Sequence, residues 1–356
     1  MIFDSEQMIQ LKLKYEKTAI GFIPEILKFY DNPRLHNEKT ILEKYFAKAP
    51  KEIQKRWLST LISDNNGSFI GTWFEIMLFA WLDKFAKVEI EPLILFSKPD
   101  FIISAKGKKV IIEAKSILKK PDERKKSSIL NYVFKILQSI NRKFLIRIES
   151  YEFQGIPDYD DFKNNVIEWL DSNPDSFLDY LFEDGRIVLN SMKLDTTDSV
   201  LVMTAGESLF INPDPLRKTL KKKASQHKNL KKTGLPYVIA IYIESGDYRS
   251  DDVVIAMFGN KKITIDINTN KVLKNTIDKT GFNFFGEKIV HTSLAGILVF
   301  KTSYDENKLQ RTLMADYIEN PYTKNELDFS IFPIKSSFTV KSISENSYEM
   351  GWSNNS

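Results

Sequence analysis

Between Lys98 and Lys115 the chain reads Lys-Pro-Asp-Phe-Ile-Ile-Ser-Ala-Lys-Gly-Lys-Lys-Val-Ile-Ile-Glu-Ala-Lys. Apolar, β-branched runs on both sides of Lys106-Gly107-Lys108 predict a tight hairpin between strands at Asp100–Ser104 and Lys109–Ile117. Residues two apart on a strand share a face, so Glu113 and Lys115 point one way while Val110, Ile112 and Ala114 point the other. A glutamate and a lysine on one face of so apolar a strand are costly unless something binds there. Asp100, opening the neighbouring strand, can reach the same point. Two carboxylates this close repel each other, and a divalent cation relieves the repulsion. Mg²⁺ suits such a place, because it takes oxygen ligands, keeps several waters and often uses only one or two carboxylates.

Composition narrows the chemistry further. The 356 residues include no cysteine and only three histidines, His36, His227 and His291, which are far apart in sequence. Zinc ribbons, iron–sulfur clusters, thiol nucleophiles and disulfides are excluded, and a histidine-rich metal site or a Ser–His–Asp triad has almost nothing to be built from. Carboxylates, lysines and a hard metal ion remain. The formal net charge of +4 permits a polyanionic partner without demanding one. No GxxxxGK[ST] or GxGxxG motif points to a nucleotide motor or a dinucleotide.

Periodicity gives the organisation. Apolar residues spaced by three and four predict a helical region over residues 1–62. A turn cluster, Asp64 to Ser68, precedes a strongly apolar helix reaching about Phe85. The period then changes to strands at Val88–Phe96, Asp100–Ser104 and Lys109–Ile117. A helix over Ser127–Arg142 and a strand over Phe144–Ser150 follow, giving the order helix, three strands, helix, strand. Further on, a helix at Asp160–Asp171, strands at Ile187–Met192 and Ser199–Thr204, a basic helix at Pro215–Lys232 and an apolar strand at Pro236–Glu244 alternate, which favours an α/β sheet with some parallel pairing. From Asp251 onward short strands are expected, at Val253–Phe258, Lys262–Ile267 and Ile297–Lys301, ending in a loose Ser- and Asn-rich tail. The expected division is a helical region at 1–62, a core with insertions at 63–250 and a β-rich region with a flexible tail at 251–356.

A phosphodiester fits the acid–lysine constellation: a metal polarises the phosphate and activates a water, and Lys115 holds or deprotonates that water or offsets charge on the phosphorane. Glu75, an acid inside the apolar run Gly71–Ala80, offers a third carboxylate. On these residues the chain resembles the PD-(D/E)xK, or restriction-endonuclease-like, nuclease superfamily. That family's core is a helix carrying a glutamate, three strands with the Pro-Asp and (Asp/Glu)-x-Lys motifs, then a helix and a strand, which is the order read from Ser68 to Ser150. The resemblance covers about 80 residues. It implies metal ligation by Asp100, Glu113 and the Ala114 carbonyl, support from Glu75, a water-handling Lys115, Mg²⁺ or Mn²⁺ as cofactor, and cleavage of nucleic acid. DNA is expected before RNA, and endonuclease action before exonuclease action.

Pro-Asp and acid-x-Lys recur elsewhere, as at Pro157-Asp158 and Glu306-Asn-Lys308. Only Asp100 and Glu113-Ala-Lys115 combine a separation of thirteen residues, apolar strands on both sides and a glycine turn between them. The competing reading of this stretch is an exposed Glu–Lys pair on a surface hairpin. Lys119, Lys120, Arg124, Lys125 and Lys126 follow the second strand directly, and eight further basic residues, Lys222 and Lys223 among them, lie in 215–232. Such segments supply sequence-blind phosphate contacts, or serve as solvated helix faces. Members of the family often carry a Lys or Gln on a helix–strand unit near the site, and Lys223 and Gln226 ahead of the Pro236–Glu244 strand look similar, with Gln138 as a rival. The alternatives are a nucleic-acid-binding or scaffold protein with a non-cleaving nuclease-like core, and an enzyme built on Asp158, Asp160 and Asp161, which read better as a helix N-terminus. Restriction or phage defence is the first biological expectation, and repair or recombination the second. Cutting both strands with one site per chain would favour a homodimer. Met1–Gln10 lacks the basic start and apolar run of a signal peptide, and Phe74–Leu82 falls far short of the roughly 18–20 residues that span a bilayer. A cytoplasmic protein with no membrane partner is expected.

Overall fold

A computed structural model of the chain describes residues 2–3, 6–15, 24–32, 35–63, 65–118, 121–172, 174–194, 200–204, 214–226, 229–244, 248–259, 261–265, 272–277, 280–285, 288–305, 310–344 and 347–354. The chain is α/β and divides into two compact units. One comprises Met1–Leu11, Pro24–Leu118 and Ile211–Ser356, and the other Lys12–Ile23 and Lys119–Phe210.

Helix α1 (Glu6–Tyr15) belongs to the first unit only up to Leu11; in that unit α2 (Glu25–Asp31), α3 (His36–Lys48) and α4 (Lys51–Leu61) precede α5 (Asn66–Leu82). Asn65 starts α5: its side chain accepts the Gly67 and Ser68 N–H groups at 2.9 and 3.2 Å, two of the donors that a helix start leaves without partners. A helix apolar on every side must be buried on every side. From Thr72 to Leu82 of α5, Glu75 alone is not fully buried.

Strands β1 (Lys87–Ile90), β2 (Phe101–Ala105) and β3 (Lys108–Ile117) follow in antiparallel order. The β2–β3 hairpin turns through Lys106 and Gly107, at φ 47° and 76°, the left-handed pair that a two-residue turn of this hand requires. The expected strand at Val88–Phe96 stops at Ile90. Pro92 has no N–H to give to a ladder, and Glu91, Leu95 and Phe96 take φ values of 47°, 45° and 65°.

The second unit holds α6 (Pro121–Gln138), β4 (Phe144–Phe153), α7 (Tyr159–Ser172), β5 (Leu178–Phe182), β6 (Gly185–Lys193) and β7 (Leu201–Thr204). Its strands pair in the order β5-β6-β4-β7 and close over a core of their own, including Ile129, Val133, Ile146, Phe162, Trp169, Ile187 and Leu189.

The chain then returns to the first unit with α8 (Asp214–Gln226), β8 (Tyr237–Ile243), α9 (Ser250–Phe258), β9 (Lys261–Ile265), β10 (Val272–Ile277), β11 (Phe284–Phe285), β12 (Lys288–Ile289), β13 (Leu294–Asp305), β14 (Gln310–Glu319), β15 (Ser336–Ser344) and β16 (Ser347–Asn354). Eight strands make one mixed sheet, β1-β2-β3-β8-β13-β14-β15-β16, with β3, β8 and β13 parallel at its centre. All seven residues of β8 are buried, as expected of a strand flanked by parallel neighbours and covered on both faces. From α5, Trp73 and Phe74 pack on Tyr242 at 4.9 and 5.5 Å between ring centroids, and Trp81 packs on Phe300 at 5.0 Å. Leu216 and Leu220 of α8 join Ile111, Ile239, Ile241 and Val299 in a further cluster.

Four expectations change. The strand beside β3 is β8, reached through α8, and not β4, which pairs with β6 and β7 in another sheet. Val253–Phe258 lies in helix α9, because the Asp252 carboxylate accepts the Arg249 N–H at 2.6 Å and fixes a helix start that outweighs the β-branched Val253, Val254 and Ile255. Within the expected loose tail, the described residues Ser347–Asn354 form a strand that pairs with β15, and Trp352 donates its indole N–H to Asp251 at 2.7 Å. No boundary falls near residue 62 or 250, since α3, α4 and α5 belong to the unit that holds the sheet, and β13 pairs directly with β8.

Candidate active site

The register of the hairpin brings the acids together. Phe101 pairs with Ile112, so Asp100 stands one step on, opposite Glu113. The Ala114 N–H donates to Asp100 Oδ2 at 2.8 Å, which fixes the aspartate against the end of β3. Beside β3, Ile239 of β8 pairs with Glu113 and Ile241 with Lys115, so the acid–lysine segment lies along the parallel junction. An open cavity of about 300 Å³ is lined there by Gly67, Gly71, Phe74, Glu75, Asp100, Ala114, Lys115, Ser116, Leu118 and Lys223. Glu113 is only 1% exposed.

One cation holds the two acids. Lys223 Nζ, reaching in from α8, donates to Glu113 Oε2 at 2.5 Å and to Asp100 Oδ2 at 3.3 Å. The Lys223 carbonyl accepts the Tyr237 hydroxyl at 3.2 Å, which ties this turn of α8 to the start of β8. Burial works against the charge on Lys223, yet Asp100 and Glu113 together hold its pKa above the ordinary lysine value. Burial pushes Glu113 up to about 8, helped by the charge of Asp100 and opposed by Lys223. Burial and the nearby Glu113 and Asp100 charges raise Tyr237 well above the usual tyrosine range.

Glu75 reaches the cavity from α5 and is engaged from α4. The Trp57 indole N–H donates to Glu75 Oε2 at 2.9 Å, and an Arg56 guanidinium nitrogen lies 3.6 Å from the same oxygen while Arg56 also pairs with Glu91. Burial first, and the charge of Asp100 second, push Glu75 up to about 7, although Trp57 and Arg56 pull it down. Lys115 moves the other way: partial burial lowers it, and the positive charges of Lys223 and Lys222 lower it further. Three groups with pKa values displaced toward neutrality around one cavity are the arrangement proton-transfer chemistry uses.

Among the described residues, no group of three or more His, Asp or Glu side chains converges on one point in the way a formed metal site does. The donor set nevertheless fits a hard cation: two carboxylates already share one positive atom, and a third acid beside them is pushed up to about 7 by burial and then by the charge of Asp100.

The sequence-derived candidates divide. Glu75, Asp100, Ala114, Lys115 and Lys223 line the cavity, and Glu113 backs it. Lys223 was expected both as a phosphate contact and as a Lys near the site on a helix–strand unit; it lies at the site and turns inward onto the acids. Lys222 is exposed on α8, near enough to act on Lys115. Gln226 lies in α8, its side chain outside the described set, and Lys119 and Lys120 lie outside the described residues. Lys125 and Lys126 are exposed on α6 of the second unit, as is Gln138, and Lys125 donates to the Gln154 carbonyl. Trp57, Arg56 and Tyr237 were not foreseen; an amphipathic helix or an apolar strand carries no sign of which distant acid its polar tip will meet.

No helix among the described residues is long and apolar enough to cross a membrane. No family model, no curated protein and no solved structure matches the chain.

Proposed function

We propose that the chain is a divalent-metal-dependent nuclease that hydrolyses phosphodiester bonds, with DNA the first substrate to test. The observation that carries this reading is the meeting of Asp100, Glu113, Lys115 and Glu75 around one open cavity, with Asp100 and Glu113 close enough to share a cation. With residues 119–210 set aside, α5, β1, β2, β3, α8 and β8 follow the order helix, three strands, helix, strand, which supports the resemblance to the PD-(D/E)xK core. The inserted unit supplies the helix and strand that stand nearer in sequence.

Asp100, Glu113 and Glu75, with the Ala114 carbonyl, would hold Mg²⁺ or Mn²⁺. When bound, such a cation supplies Lewis acidity toward the phosphate and lowers the pKa of bound water. Lys115 Nζ, its pKa lowered by burial and by the charges of Lys223 and Lys222, would take the proton of the attacking water when in its uncharged form, as the water's oxygen forms the new bond to phosphorus. The bond to the departing alkoxide oxygen breaks, and that oxygen takes a proton from solvent. Exposed Lys221 and Lys222 on α8 and Lys231 and Lys232 after it offer phosphate contacts.

A second reading has one observation in its favour. Lys223 already satisfies both acids, as it would in a nucleic-acid-binding protein with a nuclease-like core that does not cut. Incubation with plasmid, linear duplex and single-stranded DNA and RNA, in Mg²⁺ or EDTA, separates the two. Cleavage that requires Mg²⁺ and falls at least about 10²-fold in Lys115→Ala supports the nuclease. Binding without cleavage of any substrate supports the second reading, and cleavage unchanged in Lys115→Ala overturns the first.

A further inference from the structure

Lys223 has no part in the hydrolysis proposed above. Its ammonium lies between Asp100 and Glu113, 3.3 and 2.5 Å from their oxygens, which is where a metal bridging the two acids would have to be. Its side chain is only 17% exposed, so the ammonium is seated on the acids and not in open solvent. The hold is mutual, since without a cation between them the buried Glu113 and the adjacent Asp100 would repel each other. The backbone around Lys223 is anchored through the Tyr237 hydroxyl, whereas the four-carbon stem can rotate.

We propose that Lys223 is an internal counter-ion occupying the cation position, which a divalent metal must displace before the site becomes competent. The inference rests on reading the site as a divalent-cation centre and adds how entry to that centre is controlled. An ammonium and a metal cannot share the space between the two carboxylates, so each lowers the apparent affinity of the other. The metal's apparent affinity is reduced by the fraction of molecules in which Lys223 is seated. Lys223 also keeps the two acids in place until the metal arrives, which makes it a positioning residue rather than a catalytic one.

The test measures cation binding directly, in the full chain. Mn²⁺ titration followed by electron paramagnetic resonance gives the Kd of wild type, Lys223→Met, Asp100→Asn and Glu113→Gln. Lys223→Met is expected to bind Mn²⁺ about tenfold more tightly or better, and the two acid variants to bind more weakly than wild type. A second readout uses the wild-type chain alone, in case Lys223→Met fails to fold by circular dichroism. In reductive methylation mapped by peptide mass spectrometry, Lys223 is expected to be protected without a divalent cation and modified in saturating Ca²⁺ or Mn²⁺, with exposed Lys222 modified in both. Lys223→Met binding no more tightly than wild type, or Lys223 equally protected with and without cation, overturns the inference while leaving a metal-binding wild type to support the nuclease. Mn²⁺ binding by Lys223→Met and not by wild type keeps the inference and overturns the nuclease. No Mn²⁺ binding by either removes both.

Discussion

The chain carries two clusters of acids that resemble each other on paper and behave differently in the fold. At the start of α7, Asp158 Oδ1 accepts the Asp161 N–H at 2.9 Å, and Asp161 takes the Tyr180 hydroxyl at 2.5 Å and the Asn165 side-chain amide at 3.2 Å. Every partner lies within 19 residues, and the cluster's role is to start a helix and fasten it to a strand. Asp100 and Glu113 depend on Lys223, 123 and 110 residues away. They are held by a long side chain over an open cavity, with Glu113 raised to about 8. What marks a candidate site is not the number of acids but acids whose charge the local backbone does not neutralise.

The difference is tested most strongly by removing charge from each cluster in turn. Asp100→Asn and Glu113→Gln keep the shape of the side chain and remove the carboxylate, so cleavage of the best substrate should fall by about 10³-fold or more in each. Cleavage by Glu113→Gln within tenfold of wild type would place the chemistry elsewhere.

A second, smaller effect separates the clusters through pH. Glu75 and Glu113 keep their protons to about 7 and about 8 in the folded chain, against an ordinary value of 4.5. Between 4.5 and those values the unfolded chain has released protons that the folded chain retains, so folding stability contributed by these groups falls as pH rises through that window. The slope reaches about 1.4 kcal/mol per pH unit for each group. Thermal melts in metal-free buffer should therefore show Tm declining from pH 5 to 8, less steeply in Glu113→Gln. An equal decline in wild type and Glu113→Gln would show that this carboxyl is not the source.

How much of this could be read in the chain follows from the range of the interactions involved. The hairpin was legible because its turn, its alternation and the face shared by Glu113 and Lys115 are properties of eighteen consecutive residues. The partner of β3 was not, because two helix–strand pairs follow the hairpin, both apolar, and the nearer one folds around Phe162, Trp169 and Ile187 instead. The unbroken apolar run Tyr237–Ile243 suits a central parallel strand, but no local pattern says which strand it will join. Val253–Phe258 was misread because three β-branched residues resemble a strand, and the Asp252 contact that starts the helix lies one step outside the run. Lys223 was visible as one lysine of a basic segment and, through the family resemblance, as a candidate together with Gln226 for the Lys or Gln on a helix–strand unit near the site, with Gln138 as a rival. That it turns inward is decided by the packing of Leu216, Leu220 and Ala224 of α8 in the core, which leaves Lys223 at the edge of the cavity.

The smallest expected effect falls on the α7 cluster and is the sharper for being confined to stability. Asp158→Ala removes the side-chain acceptor at the first turn of α7 and should cost about 1 kcal/mol, the usual loss for such a cap. Its cleavage rate, measured well below its Tm, should stay within about twofold of wild type, since surface changes away from a reacting group alter populations and not the chemical step. Chemical denaturation gives the first quantity, and the Mg²⁺-dependent assay gives the second on the same preparation. If Asp158→Ala lost cleavage as Glu113→Gln is expected to while keeping its fold, the acids at 158–161 would have a part in the reaction. The contrast between an acid that begins a helix and an acid that waits for a cation would then fail.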